Sequence, residues 1–375
     1  MQFYNYQTID YNTNILYINR HKIIWGGLKL VKKIALFNHK DGVGKTTTTF
    51  NLGWMLAQKW KRVIVVDADP QSDLTGMILG YKQNELKDFY QKESNRNIRS
   101  GLSPAFESMP RLIEAVDCIE VDGVPGLYLL PGHIRLSEYD VLLGIAQELS
   151  GNIQTLQNLP GSINYLLEKT AEKFDAEYVL IDMGSGLSSI SQNIFSICDF
   201  FIVPCSPDYF SVMAFDSLST ILEKWHNWAQ KAQKLKILQE AVYPYPQTTP
   251  KFLGTIIQNY RLEISQTSHG FQNWVNEINK VVLSKLFPVL KKCTMILTQK
   301  DYLAQKVNKN YCLATIPDIN DLFAISRNAK KPVFDLTKEQ LSQANTGAEE
   351  QLIKKRDAIK SIFETLTNKI LGLTK

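Results

Sequence analysis

Lys33-Ile34-Ala35-Leu36-Phe37 is a short apolar run that breaks into a loop containing Gly42 and Gly44. The chain resumes at Thr47 to Trp60, where Phe50, Leu52, Met55 and Leu56 recur at helical spacing. A strand that feeds directly into an amphipathic helix commits this stretch to an α/β arrangement, since the helix must cover a face of the sheet it leaves. Two more apolar runs, Val63-Ile64-Val65-Val66 and Tyr178-Val179-Leu180-Ile181, end on Asp67 and Asp182. Continuous Val/Ile/Leu runs suit strands buried on both faces. Further strands are expected at Leu127 to Leu130, Phe200 to Pro204, Phe252 to Gln258 and Ala314 to Ile316. The order predicts a doubly wound, mostly parallel sheet.

Residues 80–122 and 133–171 read as helical insertions into that frame, the first broken by Gly101, Pro104 and Pro110 and the second by a Gly/Asn/Pro stretch. One α/β core is therefore expected over 32–346, after an extension over 1–31 without a secretory pattern. From 347 to 375, Leu352, Ile353, Ile359, Ile362, Phe363, Leu366 and Ile370 trace one face of a terminal helix expected to pack on the domain. No run of about 18 apolar residues occurs, so membrane spanning is not expected and a cytoplasmic location is. The five cysteines lack metal spacing and read as reduced core thiols. Residues 254–375 hold 18 Lys+Arg against 11 Asp+Glu, a net +7 within a chain of net +5. That basic third suits nucleic-acid contact, or simply a solvated face.

The loop itself carries the chemistry. Glycines let the main chain curl so that several N–H groups converge on phosphate oxygens at a helix N-terminus. The general form GxxxxGK[ST] fails at its first position, where His39 stands. Lys40 with Gly42-Val43-Gly44-Lys45-Thr46-Thr47 resembles instead the KGGVGKTT signature of the ParA/MinD family of deviant-Walker P-loop ATPases, of SIMIBI type. The resemblance implies that Lys45 neutralises the phosphates of ATP or ADP, that Thr46 ligates Mg²⁺, and that Lys40 reaches the nucleotide of a partner subunit in an ATP-dependent homodimer. Asp41 stands where the family has glycine, and its carboxylate adds negative charge where two subunits approach.

Asp67-Ala68-Asp69-Pro70-Gln71 looks like the DxDPQ motif of ParA-type proteins, in which the second aspartate, Asp69, positions water and Mg²⁺. Asp182 fits the Walker-B role, although Met183-Gly184-Ser185-Gly186 replaces the family's proline-containing turn. By the same resemblance Asn259, at the end of a strand, and Pro317 with Asp318 are expected around the adenine base. The family implies slow hydrolysis stimulated by an adaptor protein, and positioning or partitioning of DNA or other cargo on non-specific DNA. Lys306, Lys309, Arg327, Lys330 and Lys331 are the cations for that contact. The alternatives are a MinD-like membrane-associated ATPase using the terminal helix, and a low-turnover regulatory switch acting on a protein partner, which Asp41 favours. An iron–sulfur role is not expected, for want of paired cysteines.

Overall fold

The computed structural model describes residues 31–80, 83–149, 156–260, 268–318, 320–342 and 349–375, and side chains at 83–84, 259–260, 268–270 and 320–321 are also outside the description. The expected extension over 1–31 falls, but for Val31, outside the described residues.

Eight strands form one sheet: β1 (Lys32–Leu36), β2 (Val63–Asp67), β3 (Ile119–Glu120), β4 (Leu127–Leu130), β5 (Tyr178–Asp182), β6 (Phe200–Cys205), β7 (Lys251–Tyr260) and β8 (Cys312–Pro317). Their order is β3-β4-β2-β5-β1-β6-β7-β8. Every neighbouring pair is parallel except β3 with β4. The two-residue β3 is a short antiparallel edge, a common way of ending a parallel sheet without exposing a long unpaired strand.

Successive residues of a strand point to opposite faces. Here both faces are covered. Ile34 and Leu36 enter a core shared with Phe50, Leu52 and Leu56 of helix Lys45–Gln58 and with Ile359, Phe363, Leu366 and Ile370 of helix Glu349–Leu373. Ala35 and Phe37 enter the opposite core, with Leu102, Leu143, Leu166, Phe195 and Trp225. The terminal helix is thus a structural layer. Its apolar stripe is buried, the Phe334 and Phe363 rings lie 5.5 Å apart, and Lys369 Nζ donates to the Leu313 carbonyl at 2.7 Å. No helix among the described residues is long and apolar enough to cross a membrane.

The expected breaks at Gly101 and Pro104 are not breaks: both lie inside helix Ile98–Phe106. Proline at 104 cannot donate to the Ser100 carbonyl, and the Ser103 hydroxyl does so in its place at 2.8 Å. Gly101 serves close packing, since a Cβ there would meet Val116 Cγ2 at 2.6 Å and Leu166 Cδ1 at 2.9 Å.

Candidate functional site

Parallel register brings the carboxyl ends of β1, β2 and β5 together: Asp67 pairs with Asp182, and Asp182 with Leu36. The chain leaving β1 is tied down at once. Asn38 Nδ2 donates to the Pro204 carbonyl of β6 at 2.8 Å, and Lys40 N donates to Asn38 Oδ1 at 3.0 Å. Gly42 and Gly44 then adopt left-handed φ of +68° and +76°, which residues with a Cβ rarely take. Gly44 is the N-cap of helix Lys45–Gln58, and no side chain caps that end. Its first amides and its dipole are therefore presented to whatever anion enters.

Gln258, buried near the end of β7, locks this turn. Its Nε2 donates to the Gly44 carbonyl at 2.9 Å and also to the Thr48 hydroxyl. A Cβ on Gly44 would collide with Gln258 Oε1 at 2.0 Å, so the glycine is required by its neighbour as well as by its backbone.

Lys45 is only 7% exposed, and its Nζ makes a long 3.4 Å contact to the Lys40 carbonyl. Burial pulls its pKa down, while the charges of Asp182, Asp41 and Asp69 push it back up. Asp182 is fully buried, and neither carboxyl oxygen has a hydrogen-bond partner of normal geometry. Burial first, and then Asp67, raise its pKa well above the ordinary value, with Thr46 and Lys45 offsetting part of the effect. Buried polar atoms are nearly always paired in proteins. An orphaned carboxylate behind a buried lysine is thus the mark of a site completed by a cation and an anion, and these residues fit Mg²⁺ bound with a polyphosphate.

Asp67, by contrast, is saturated. It accepts from Thr75 N at 2.8 Å, Thr75 Oγ1 at 2.6 Å and, at 3.3 Å, from Asp69 N. Thr75 Oγ1 in turn accepts from Gly132 N at 3.0 Å. Burial raises the Asp67 pKa to about 7 against the Thr75 hydrogen bonds. It holds the loop that carries Asp69, whose Oδ1 accepts from Gln71 N at 3.0 Å. Asp69 lies against Gly184, where a Cβ would sit 3.3 Å from its Cγ. The turn Met183-Gly184-Ser185-Gly186 thereby leaves room for the carboxylate.

A cavity of about 420 Å³ opens over the loop, lined by Asp41 to Thr47 together with Asp69, Asp73, Met77, Gln258, Phe323 and Arg327. Asp182, buried at the end of β5, is not part of the lining of this cavity. Lys40 does not line it: Nζ pairs with Asp208 and donates to Ser211 Oγ at 3.1 Å. Pro317 ends β8 and Asp318 follows it, neither lining the cavity, and the side chain of Asn259 is outside the described residues. The residues that do close the cavity, Gln258, Met77, Phe323 and Arg327, carry no sequence motif. Arg327 stood out only as one of a basic set read for DNA contact. Of that set, Lys331 faces Asp335 at 3.8 Å and Lys330 packs over Gly80. The cysteines are free thiols, and no group of three or more His, Cys, Asp or Glu among the described residues forms a metal site by itself.

A glycine loop and lysine-headed helix at the carboxyl edge of a parallel sheet, with strand-end aspartates beside them, define a P-loop protein. A family model described as an AAA domain matches residues 31–237. The chromosome partitioning protein ParA of Caulobacter vibrioides is 29% identical over 199 residues, covering 52% of this chain and 63% of that protein. Sporulation initiation inhibitor protein Soj of Bacillus subtilis is 28% identical over 193 residues, 51% of this chain and 63% of Soj. The chain thus spans just under two thirds of each of these relatives. The fold is also that of Cyanothece apo McdA, with a TM-score of 0.51 and 18% identity, over 88% of this chain and 99% of McdA. The chain belongs to the ParA/MinD family of P-loop ATPases.

Proposed function

We propose that this protein binds Mg-ATP in the cavity over Gly42–Thr47 and hydrolyses it slowly. In this reading it dimerises with ATP and works with an adaptor protein to position or partition DNA or another cargo. The observation that carries the first step is a buried, poorly paired Lys45 and an orphaned, buried Asp182 at the foot of an uncapped helix N-terminus, each feeling the other's charge.

The cavity is lined by two cations, Lys45 and Arg327, and three carboxylates, Asp41, Asp69 and Asp73, a balance of −1. A polyphosphate entering such a site needs an accompanying divalent cation. Mg²⁺ would supply charge neutralisation on the phosphate oxygens, and Thr46, Asp69 and Asp182 are the residues that would hold it, directly or through water. Lys45 and the loop amides bind and orient the phosphates. Asp69, fixed by Asp67 and Gln71, orients a water. Met77 and Phe323 add apolar lining suited to a base.

Calorimetry on nucleotide-free protein in magnesium buffer tests this. Uptake of ATP and ADP is expected, and no heat with either would end the reading. Light scattering with ATP then reports dimerisation, and DNA co-sedimentation at increasing salt reports whether phosphate contacts carry DNA binding. A second reading, a low-turnover switch acting through a protein partner, draws on Asp41, exposed at the cavity mouth, and on Lys40 being held by its own chain. Restored ATP-dependent dimerisation in Asp41→Gly would favour it. Membrane attachment through the terminal helix is disfavoured because that helix's apolar face is already buried.

A further inference from the structure

Helices Asp73–Leu79 and Asn320–Ala329 both line the cavity, and they neighbour one another, since Lys330 packs over Gly80 at the end of the first. Asp73 and Met77 come from the first, Phe323 and Arg327 from the second. Each pair is spaced i, i+4, so each helix presents one charged and one apolar side chain on a single face, one turn apart. The charged members are opposite in sign.

We infer that Arg327 is the site's second phosphate-binding cation, held by Asp73 until a polyphosphate enters and takes the guanidinium over. The inference rests on reading the cavity as a nucleotide site and adds a residue that neither the P-loop signature nor the matched family region contains, since that region ends at 237. Three observations support it. Without Arg327, Lys45 alone would face the three lining carboxylates. The guanidinium is exposed at the cavity on a long side chain, and its planar fork suits phosphate oxygens better than a point charge does. Asp73 feels it: burial and Asp69 raise the Asp73 pKa, and Arg327 opposes them.

The exchange has a signature that ordinary wall residues lack, because the two partners should act with opposite sign. Removing Arg327 weakens ligand binding, whereas neutralising Asp73 frees the arginine and strengthens it. Calorimetric titration with Mg-ATP, and separately with magnesium tripolyphosphate, should show Arg327→Ala weakening both about tenfold. Asp73→Asn should tighten both about threefold, and Arg327→Lys should fall between wild type and Arg327→Ala. In the double variant the Asp73→Asn gain should vanish, and all differences should shrink as salt rises. Both side chains are exposed, and the opposite signs separate the exchange from loss of fold. Wild-type affinity in Arg327→Ala, or weaker binding in Asp73→Asn, overturns the inference. Loss confined to ATP, with tripolyphosphate unchanged, overturns it too by assigning Arg327 to the nucleoside. Failure of wild type to take up either ligand removes the nucleotide reading itself, and this inference with it.

Discussion

The chain up to residue 237 and the chain after it contribute to one sheet and one cavity in different ways. The first part supplies β1 through β6, the loop, Lys45, Asp69 and Asp182, and is the part that the family model matches. The second supplies β7, β8 and the terminal helix, and from it come the clamp at Gln258 and the wall at Phe323 and Arg327. The phosphate loop and the strand-end aspartates thus fall in the first part, while the second adds Gln258, Phe323 and Arg327 to a lining that already includes Asp73 and Met77. Chemistry thus resides in motifs, whereas enclosure resides in packing.

That contrast can be pressed hardest at Lys45. Lys45→Ala should cost the Mg-ATP complex about 4 kcal/mol, roughly a thousandfold in Kd by calorimetry, because it removes the cation paired with the polyphosphate in a buried site. The melting temperature of the ligand-free protein should not fall, since a poorly paired ammonium is then no longer buried. A marked drop in stability would place Lys45 among the packing residues instead.

In the second part the expected pattern reverses. Phe363→Ala empties a buried position under helix Lys45–Gln58 and should cost about 3 kcal/mol in urea unfolding. Where the protein stays folded, its Kd for ATP should match wild type. A large change in Kd would show that the terminal layer tunes the loop.

The pH dependence isolates the carboxylate floor shared by β2 and β5. In the folded, magnesium-free protein Asp67 keeps its proton up to a pH of about 7, whereas the unfolded chain loses it near 3.8. Between those values the unfolded state binds fewer protons, so stability falls as pH rises and levels off above about 7. Asp182 acts in the same direction. Between pH 5 and 7 the Asp67 contribution should be about 2 kcal/mol, and Asp67→Asn should flatten the fall by that amount in urea titrations. Identical slopes in the two proteins would mean that Asp67 is already ionised.

The smallest effect is expected where the two parts meet. Gln258→Ala removes the donor to the Gly44 carbonyl and to Thr48, which should cost about 1 kcal/mol and weaken Mg-ATP binding about fivefold. An unaltered Kd would mean that the loop keeps its shape without help from β7.

What could be read from the sequence crosses that division: the strands expected at 252–258 and 314–316 and the terminal helix are found in the second part. The strands at 33–37, 63–67, 127–130, 178–182 and 200–204 were legible because each is a continuous apolar run, and these strands are buried on both faces. The loop was legible because its spacing is fixed by phosphate geometry. Gly101 and Pro104 misled because a glycine used for close approach and a proline whose missing donor is replaced by Ser103 look like breakers in sequence. Gln258 carries no motif of its own, because its hold on Gly44 and Thr48 depends on how β7 packs beside the loop. Arg327 was legible only as charge. That it lines one cavity with Asp73 depends on a sheet order that no local pattern states.

Asp208 serves two masters. One carboxyl oxygen caps helix Tyr209–Ala232 through the Ser211 amide at 2.8 Å, and the other holds the Lys40 ammonium. Any neighbouring subunit that drew Lys40 toward its own nucleotide would strip the helix cap of its counter-charge. In the ATP-dependent dimer proposed above, Lys40 would have to leave Asp208 before it could reach the opposite nucleotide, so this ion pair would oppose association until a highly charged ligand competes for the ammonium.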